Sequence, residues 1–289
     1  MKRFFTVFVL LMFCTSLWCG QGYKLGTSCG IAGGTSPEAL AKIKAAGIEY
    51  IELSINGFWR KKPANEVYLR AYKTLQNVEA SGLKVWSVHL PFSSSLDISV
   101  LDNKKREANL RFFEEMIRLA GIFKPKCLVL HPGADTIKDE ETRQERLKCS
   151  RNSIGRLAIA AADIGALLCI EDLPRTCPGR TAEEMDYLTA GIPNVRVCFD
   201  TNHLLLGTHE EFLEKLGDRI ATLHVSDYDG VDERHWMPFH KDGIVDWHAF
   251  YQGLNKIKYK GVFMFEVKKG EGTPEDLVKV YKQMKKRTR

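Results

Sequence analysis

The sequence predicts an α/β fold, a single (β/α)8 TIM barrel, on three observations. Eight short apolar runs, rich in Val, Ile, Leu and Phe and too short for helices, alternate with eight longer segments of helical period. Seven of the runs close on a side chain that can hold a metal or move a proton: Glu52, His89, His131, Glu171, Asp200, His224 and Glu266. Seven such residues need one common place to point, and a barrel of parallel strands opens all its carboxyl ends on one face. The chain of 289 residues also has no low-complexity segment, repeat or long linker, so one barrel-sized domain accounts for residues 23–289.

The elements follow in order. KLGTS at 24–28 is the first strand; Ser36 and Pro37, a capping residue and a first-turn proline, then open a helix over 37–46 that Gly47 closes. YIEL at 50–53 is the second strand, and a helical period over 66–81 stops at Gly82. KVWSVH at 84–89 precedes a helix over 104–123, and CLVLH at 127–131 precedes one over 140–164, which ends before Gly165. LLCIE at 167–171, RVCFD at 196–200 and TLHVS at 222–226 lead to helices over 182–189, 210–216 and 247–257. VFMFEV at 262–267 is the eighth strand, and Thr273 with Pro274 opens the last helix, to 286.

Side chains of a strand alternate between its faces. Counting back from His131, Glu171 and Asp200 therefore puts Val129, Cys127, Cys169 and Cys198 inside the barrel, where the cysteines act as small apolar filling. A disulfide framework is not expected, because no CxxC pair is present and a chain of this size buries an adequate core; Cys29, Cys149 and Cys177 are the candidates for a bridge.

Residues 1–22 read as a secretory signal: Lys2 and Arg3, an apolar stretch from Phe4 to Trp18, then Cys19-Gly-Gln-Gly. The stretch is shorter than the roughly 20 residues of a bilayer span, so the mature chain is expected to be exported, periplasmic or secreted, without a membrane span. Cys19 raises an alternative, a lipid anchor, which Trp18 fits poorly because small residues are expected before an acylated cysteine. The formal charge of +6 falls to +4 without Lys2 and Arg3, and much of the remainder lies on the last helix. No basic track interleaved with aromatics is present, which argues against nucleic acid as a partner.

Glu171, Asp200, His224 and Glu266 come from strands five to eight, so their side chains converge on one side of the mouth. Three carboxylates and an imidazole suit a divalent ion such as Mn, Mg, Co or Zn, with room for a substrate to chelate. His203 follows Asp200 by three residues, an offset that turns its imidazole back over the same cavity. The long segment after strand seven carries Arg234, His235, Trp236, His240 and Lys241, and Trp236, Phe239, Phe58, Trp59 and Phe92 offer apolar faces near the mouth.

IEDLP, CFDTNH, HVSD and FMFEV, in this order, resemble the xylose isomerase-like barrels, a superfamily of sugar isomerases, ketose epimerases and the apurinic-site endonuclease. The resemblance spans essentially the whole mature chain. It implies Glu171, Asp200, His224 and Glu266 as metal ligands, Glu171 and Glu266 also as the catalytic acid and base, and His203 as a substrate contact. Relatives that handle sugars keep histidines resembling His89 and His131, which position hydroxyls. Arg234, His235, Trp236 and His240 are the expected substrate contacts after strand seven, although in the epimerase pattern an arginine follows the metal histidine more closely than Arg234 follows His224.

The expected activity is a metal-dependent isomerase or epimerase that takes the proton beside a sugar carbonyl, through an enediolate, on a non-phosphorylated sugar or keto-glycoside. A leaving group beside the carbanion would turn the same residues to elimination, as in keto-glycoside lyases. Two further readings stand beside these. One is a phosphodiesterase with three zinc ions, whose ligands His89, His131, Glu171, Asp200, His203, His224, His235 and Glu266 would match; the other is a binding barrel without catalysis, which would not need both Glu171 and Glu266.

Overall fold

In a computed structural model of the protein, residues 22–60, 62–134 and 137–286 are described. The expected signal, with Cys19, lies outside them except for Gly22. Eight strands, β1 (Leu25–Ser28), β2 (Tyr50–Ser54), β3 (Lys84–His89), β4 (Cys127–Leu130), β5 (Leu167–Glu171), β6 (Val195–Asp200), β7 (Ile220–His224) and β8 (Phe263–Phe265), alternate with eight helices. The helices are α1 (Pro37–Ala45), α2 (Ala64–Ser81), α3 (Asn103–Ala120), α4 (Arg143–Asp163), α5 (Ala182–Thr189), α6 (His209–Leu216), α7 (Trp247–Lys256) and α8 (Pro274–Met284).

All the strands pair in parallel in the order β7-β6-β5-β4-β3-β2-β1-β8. The barrel is completed between β7 and β8, where Val225 bridges Phe265: Val225 N donates to Met264 O (2.9 Å) and Glu266 N donates to Val225 O (3.1 Å). Helix starts follow capping chemistry. The Ser36 hydroxyl accepts from Ala39 N, and Thr273 forms a capping box with Asp276. Gly82 closes α2 in the left-handed region at φ 68°, where a side chain would be strained.

Two strands are shorter than their apolar runs suggest. β4 stops at Leu130 and β8 at Phe265, so His131 and Glu266 stand just past the ladder. The fourth helix starts at Arg143 rather than 140, because Asp139 accepts from Glu141 N and winds 140–142 into a short 3-10 turn first. The apolar faces of the helices cover the outside of the barrel with fully buried Leu40, Ile43, Ile117, Leu157, Leu216 and Leu277. Inside it, Cys127, Val129, Cys169 and Cys198 form a separate, fully buried cluster, as the strand parity requires. Burial raises the Cys169 and Cys198 thiols well above their usual value, which keeps them protonated and apolar in character. Cys29 and Cys149 carry free thiols. Among the described residues no helix is long and apolar enough to cross a membrane.

Candidate metal centre

One step beyond the cysteine layer, the interior turns from apolar to charged. Glu171 ends β5, Asp200 ends β6, His224 ends β7 and Glu266 follows β8, and all are buried except the part-exposed Glu266. His224 Nδ1 lies 2.8 Å from Glu171 Oε1, 3.1 Å from Glu266 Oε2 and 3.8 Å from Asp200 Oδ2. One donor atom from each of the four lies within 4.8 Å of the others. Asp200 Oδ2 is buried with no hydrogen-bond partner among the described residues. A buried carboxylate oxygen left bare is costly, and a cation among these donors would satisfy it. Oxygen-rich with one imidazole, the set fits a divalent ion.

The electrostatics agree. Burial alone would raise the Glu171 carboxyl, yet the imidazoles of His224 and His131 outweigh it and hold the group well below the usual carboxylate range. Glu266 is likewise pulled down against burial by His224 and His235. Asp200 goes the other way, because burial, only partly offset by His203, is reinforced by the carboxylates of Glu266 and Glu171. Three acids crowding one cavity without a compensating ion therefore cannot all ionise comfortably.

Two further groups flank the first. His89 Nε2 and His131 Nε2 each lie 3.1 Å from Glu171 Oε2, so Glu171 faces His224 with one oxygen and this histidine pair with the other. His89 Nδ1 donates to Leu90 O (2.8 Å), which turns Nε2 toward the cavity. Phe92 stacks on His131 with ring centroids 4.8 Å apart, covering the pair from above. On the other flank His203 Nε2 is 3.1 Å from Glu233 Oε2, and His203, Glu233 and His235 form a third set of converging donors. His203 Nδ1 donates to Asp172 O (2.8 Å). Despite burial, Asp200 and Glu233 raise His203 well above its usual value.

The segment after β7 is folded over this flank by named contacts. Asn202 Oδ1 accepts from both Arg234 N (2.7 Å) and His235 N (2.9 Å), Arg175 pairs with Asp232 (2.5 Å) and Glu233 (3.1 Å), and Trp236 bridges Asp227. Arg175 and His235 take φ of 58° and 51°, left-handed conformations that these contacts hold in place.

The structure thus brings Glu52, His89, His131, Glu171, Asp200, His203, His224, His235 and Glu266 into one connected set. Three further expected substrate contacts, Arg234, Trp236 and His240, lie on the covering segment, where Arg234 pairs with Asp229 (2.7 Å) and Trp236 stacks on His240 at 4.0 Å. Glu233, Asp172 and Asn202 were not singled out from the sequence. Glu233 and Asn202 each sit one or two residues from a histidine that was, in ERH and TNH, the signal that could have found them.

The chain matches the model of a family described as the xylose isomerase-like TIM barrel over residues 40–285. It is 25% identical over 242 residues to a putative L-ribulose-5-phosphate 3-epimerase of Haemophilus influenzae, covering 81% of this chain and 84% of that one. To a probable endonuclease 4 of Exiguobacterium sibiricum it is 27% identical over 184 residues, 58% of this chain and 59% of that one. Its fold is similar to that of a D-allulose 3-epimerase from Methylomonas sp. in complex with D-allulose, with a TM-score of 0.72 at 19% identity, over 91% and 98% of the two chains.

Proposed function

The chain belongs to the xylose isomerase-like TIM barrel family, and from that premise we propose that it is a metal-dependent isomerase or epimerase of non-phosphorylated sugars. The observation that carries the reading is the pair of carboxylates, Glu171 and Glu266, both against His224 Nδ1 in one four-donor cluster. Glu171, Asp200, His224 and Glu266 would hold the ion, which when bound supplies Lewis-acid polarisation of the substrate carbonyl. The residues of the chain do the rest. Of the two groups against His224, the one that enters the step as carboxylate accepts the proton from the carbon beside the carbonyl; the one that enters it as the acid gives its proton to the carbanion, and exchange with solvent restores the starting pair. Return to the opposite face of the same carbon is epimerisation; return to the neighbouring carbon is isomerisation. The imidazoles of His89, His131 and His203 can orient hydroxyls, and Phe92 offers an apolar face beside them.

With a leaving group beside the carbanion, the same first step would end in elimination from a keto-glycoside. Export of the mature chain, which the basic and then apolar N-terminus supports, favours free sugars or glycosides over sugar phosphates. A second reading, a phosphodiesterase using three zinc ions, draws on the two flanking groups, His89–His131–Glu171 and His203–Glu233–His235. Against it stands the modest positive charge of the mature chain, since phosphate contacts dominate affinity for a nucleic-acid duplex.

The test is metal analysis of the purified chain, followed by incubation with free ketoses and keto-glycosides in deuterated solvent. One tightly held ion and deuterium uptake at carbon support the isomerase or epimerase; aglycone release identifies the lyase. Three zinc ions with phosphodiester cleavage and no deuterium uptake would replace the proposal by the hydrolase.

A further inference from the structure

Glu52 belongs to none of the three donor groups, although its carboxylate is buried against His224, at 2% exposure. Its two side-chain neighbours define it. Ser87 Oγ donates to Glu52 Oε2 at 2.7 Å, and His224 Nε2 lies 3.0 Å from the same oxygen. The two nitrogens of His224 therefore face opposite ways: Nδ1 toward Glu171, Glu266 and Asp200, Nε2 toward Glu52. An imidazole that lends its Nδ1 lone pair to a cation carries its proton on Nε2, and a fully buried N–H needs an acceptor.

We propose that Glu52 is a positioning residue, whose carboxylate accepts the Nε2 proton of His224 and so fixes the tautomer and ring orientation that present Nδ1 to the ion. This rests on the reading that the four-donor cluster holds a divalent ion. Carboxylates behind metal-bound histidines act in this way, setting the tautomer and raising the basicity of the ligand. The backbone is built for it. Pairing between β2 and β3 slips between Ile51 and Glu52, so that Ile51 faces Val85 but Glu52 faces Ser87. That irregularity skips Trp86 and brings the Ser87 hydroxyl beside the Glu52 carboxylate, which it anchors. His89 stacks on the His224 ring at 5.7 Å with an interplanar angle of 15°, holding its plane.

The experiment uses the full chain, stripped of metal and titrated with zinc by calorimetry, as wild type, Glu52→Gln, Glu52→Leu and Ser87→Ala. Histidine-selective 15N NMR of the zinc-loaded forms reads the tautomer directly. In the wild type, His224 carries its proton on Nε2, displaced downfield by the carboxylate. Glu52→Leu weakens zinc binding by about 10–100-fold and moves that proton back toward the position of an unpaired imidazole. Glu52→Gln keeps an acceptor oxygen and falls between the two, and it decides the matter if the leucine variant does not fold. Ser87→Ala produces a smaller shift in the same direction. Unchanged zinc affinity and an unchanged Nε2 proton in Glu52→Gln and Ser87→Ala would overturn the role of Glu52. A wild type that takes up no zinc would overturn the cluster reading as well, a result visible before any variant is made.

Discussion

The interior of this barrel has two layers that share strands and side-chain direction but not chemistry. Cys127, Val129, Cys169 and Cys198 form the lower one. His131, Glu171 and Asp200 stand two residues further along from Val129, Cys169 and Cys198, a rise of about 6.6 Å, and begin the upper one. Both layers are buried, so the same loss of water acts on each. For the lower layer it is favourable, because apolar surface leaves solvent. For the upper it is costly: burial and the carboxylates of Glu266 and Glu171 hold the Asp200 carboxyl up, and only the imidazoles of His224 and His131 hold Glu171 down. A layer that works against folding is kept for what it binds, and substitutions in the two layers should therefore fail in different ways.

The largest effect is expected from Glu266→Gln. Loss of one of the two proton-transfer groups should slow exchange of a substrate carbon-bound proton with deuterated solvent by about 10²–10⁴-fold, with the metal-free protein still folded but melting lower at neutral pH, because a carboxyl held down by His224 and His235 stabilises the fold when ionised. Full exchange in that variant, followed by NMR, would remove the contrast at its source. Asp200→Asn comes next. Removing a direct donor should weaken ion binding by at least the roughly 100-fold upper range seen for outer partners. The metal-free protein should melt no lower than wild type, because a carboxyl raised by burial and by two neighbouring acids gives the fold nothing when ionised. Calorimetric titration and thermal melting check both parts.

In the lower layer Val129→Ala should do the reverse, costing about 2 kcal/mol of stability through lost burial and a small cavity while leaving ion affinity unchanged. A drop in affinity there would mean that the layers are not separable. The smallest effect concerns pH. A hydrogen bond to His203 lowers the Glu233 carboxyl to about 2, so this carboxylate contributes stability above its usual titration range, and the contribution is lost as pH falls toward 2. Glu233→Gln should therefore flatten the acid limb of the melting temperature between about pH 4.5 and 2. An unchanged acid limb would show that the covering segment is not fastened through this pair.

Much of this was legible in the residues. Strand runs, caps and the alternation of faces put Cys127, Cys169 and Cys198 inside and Glu171, Asp200 and His224 at the mouth, because period and parity are local properties of the chain. The course of the segment after β7 was not. The placing of Glu233 and His235 beside His203 goes with Asn202 accepting two backbone N–H groups from Arg234 and His235, a contact over more than thirty residues that no periodicity encodes. Glu52 was visible only as one more acid on a strand, since its role depends on the slip in register against β3.

The most direct measurement is anomalous diffraction from crystals of the full chain grown with manganese. The account predicts its strongest peak at a position within coordinating distance of Glu171, Asp200, His224 and Glu266. Manganese bound only between His203, Glu233 and His235, or none at the four-donor cluster, would contradict it.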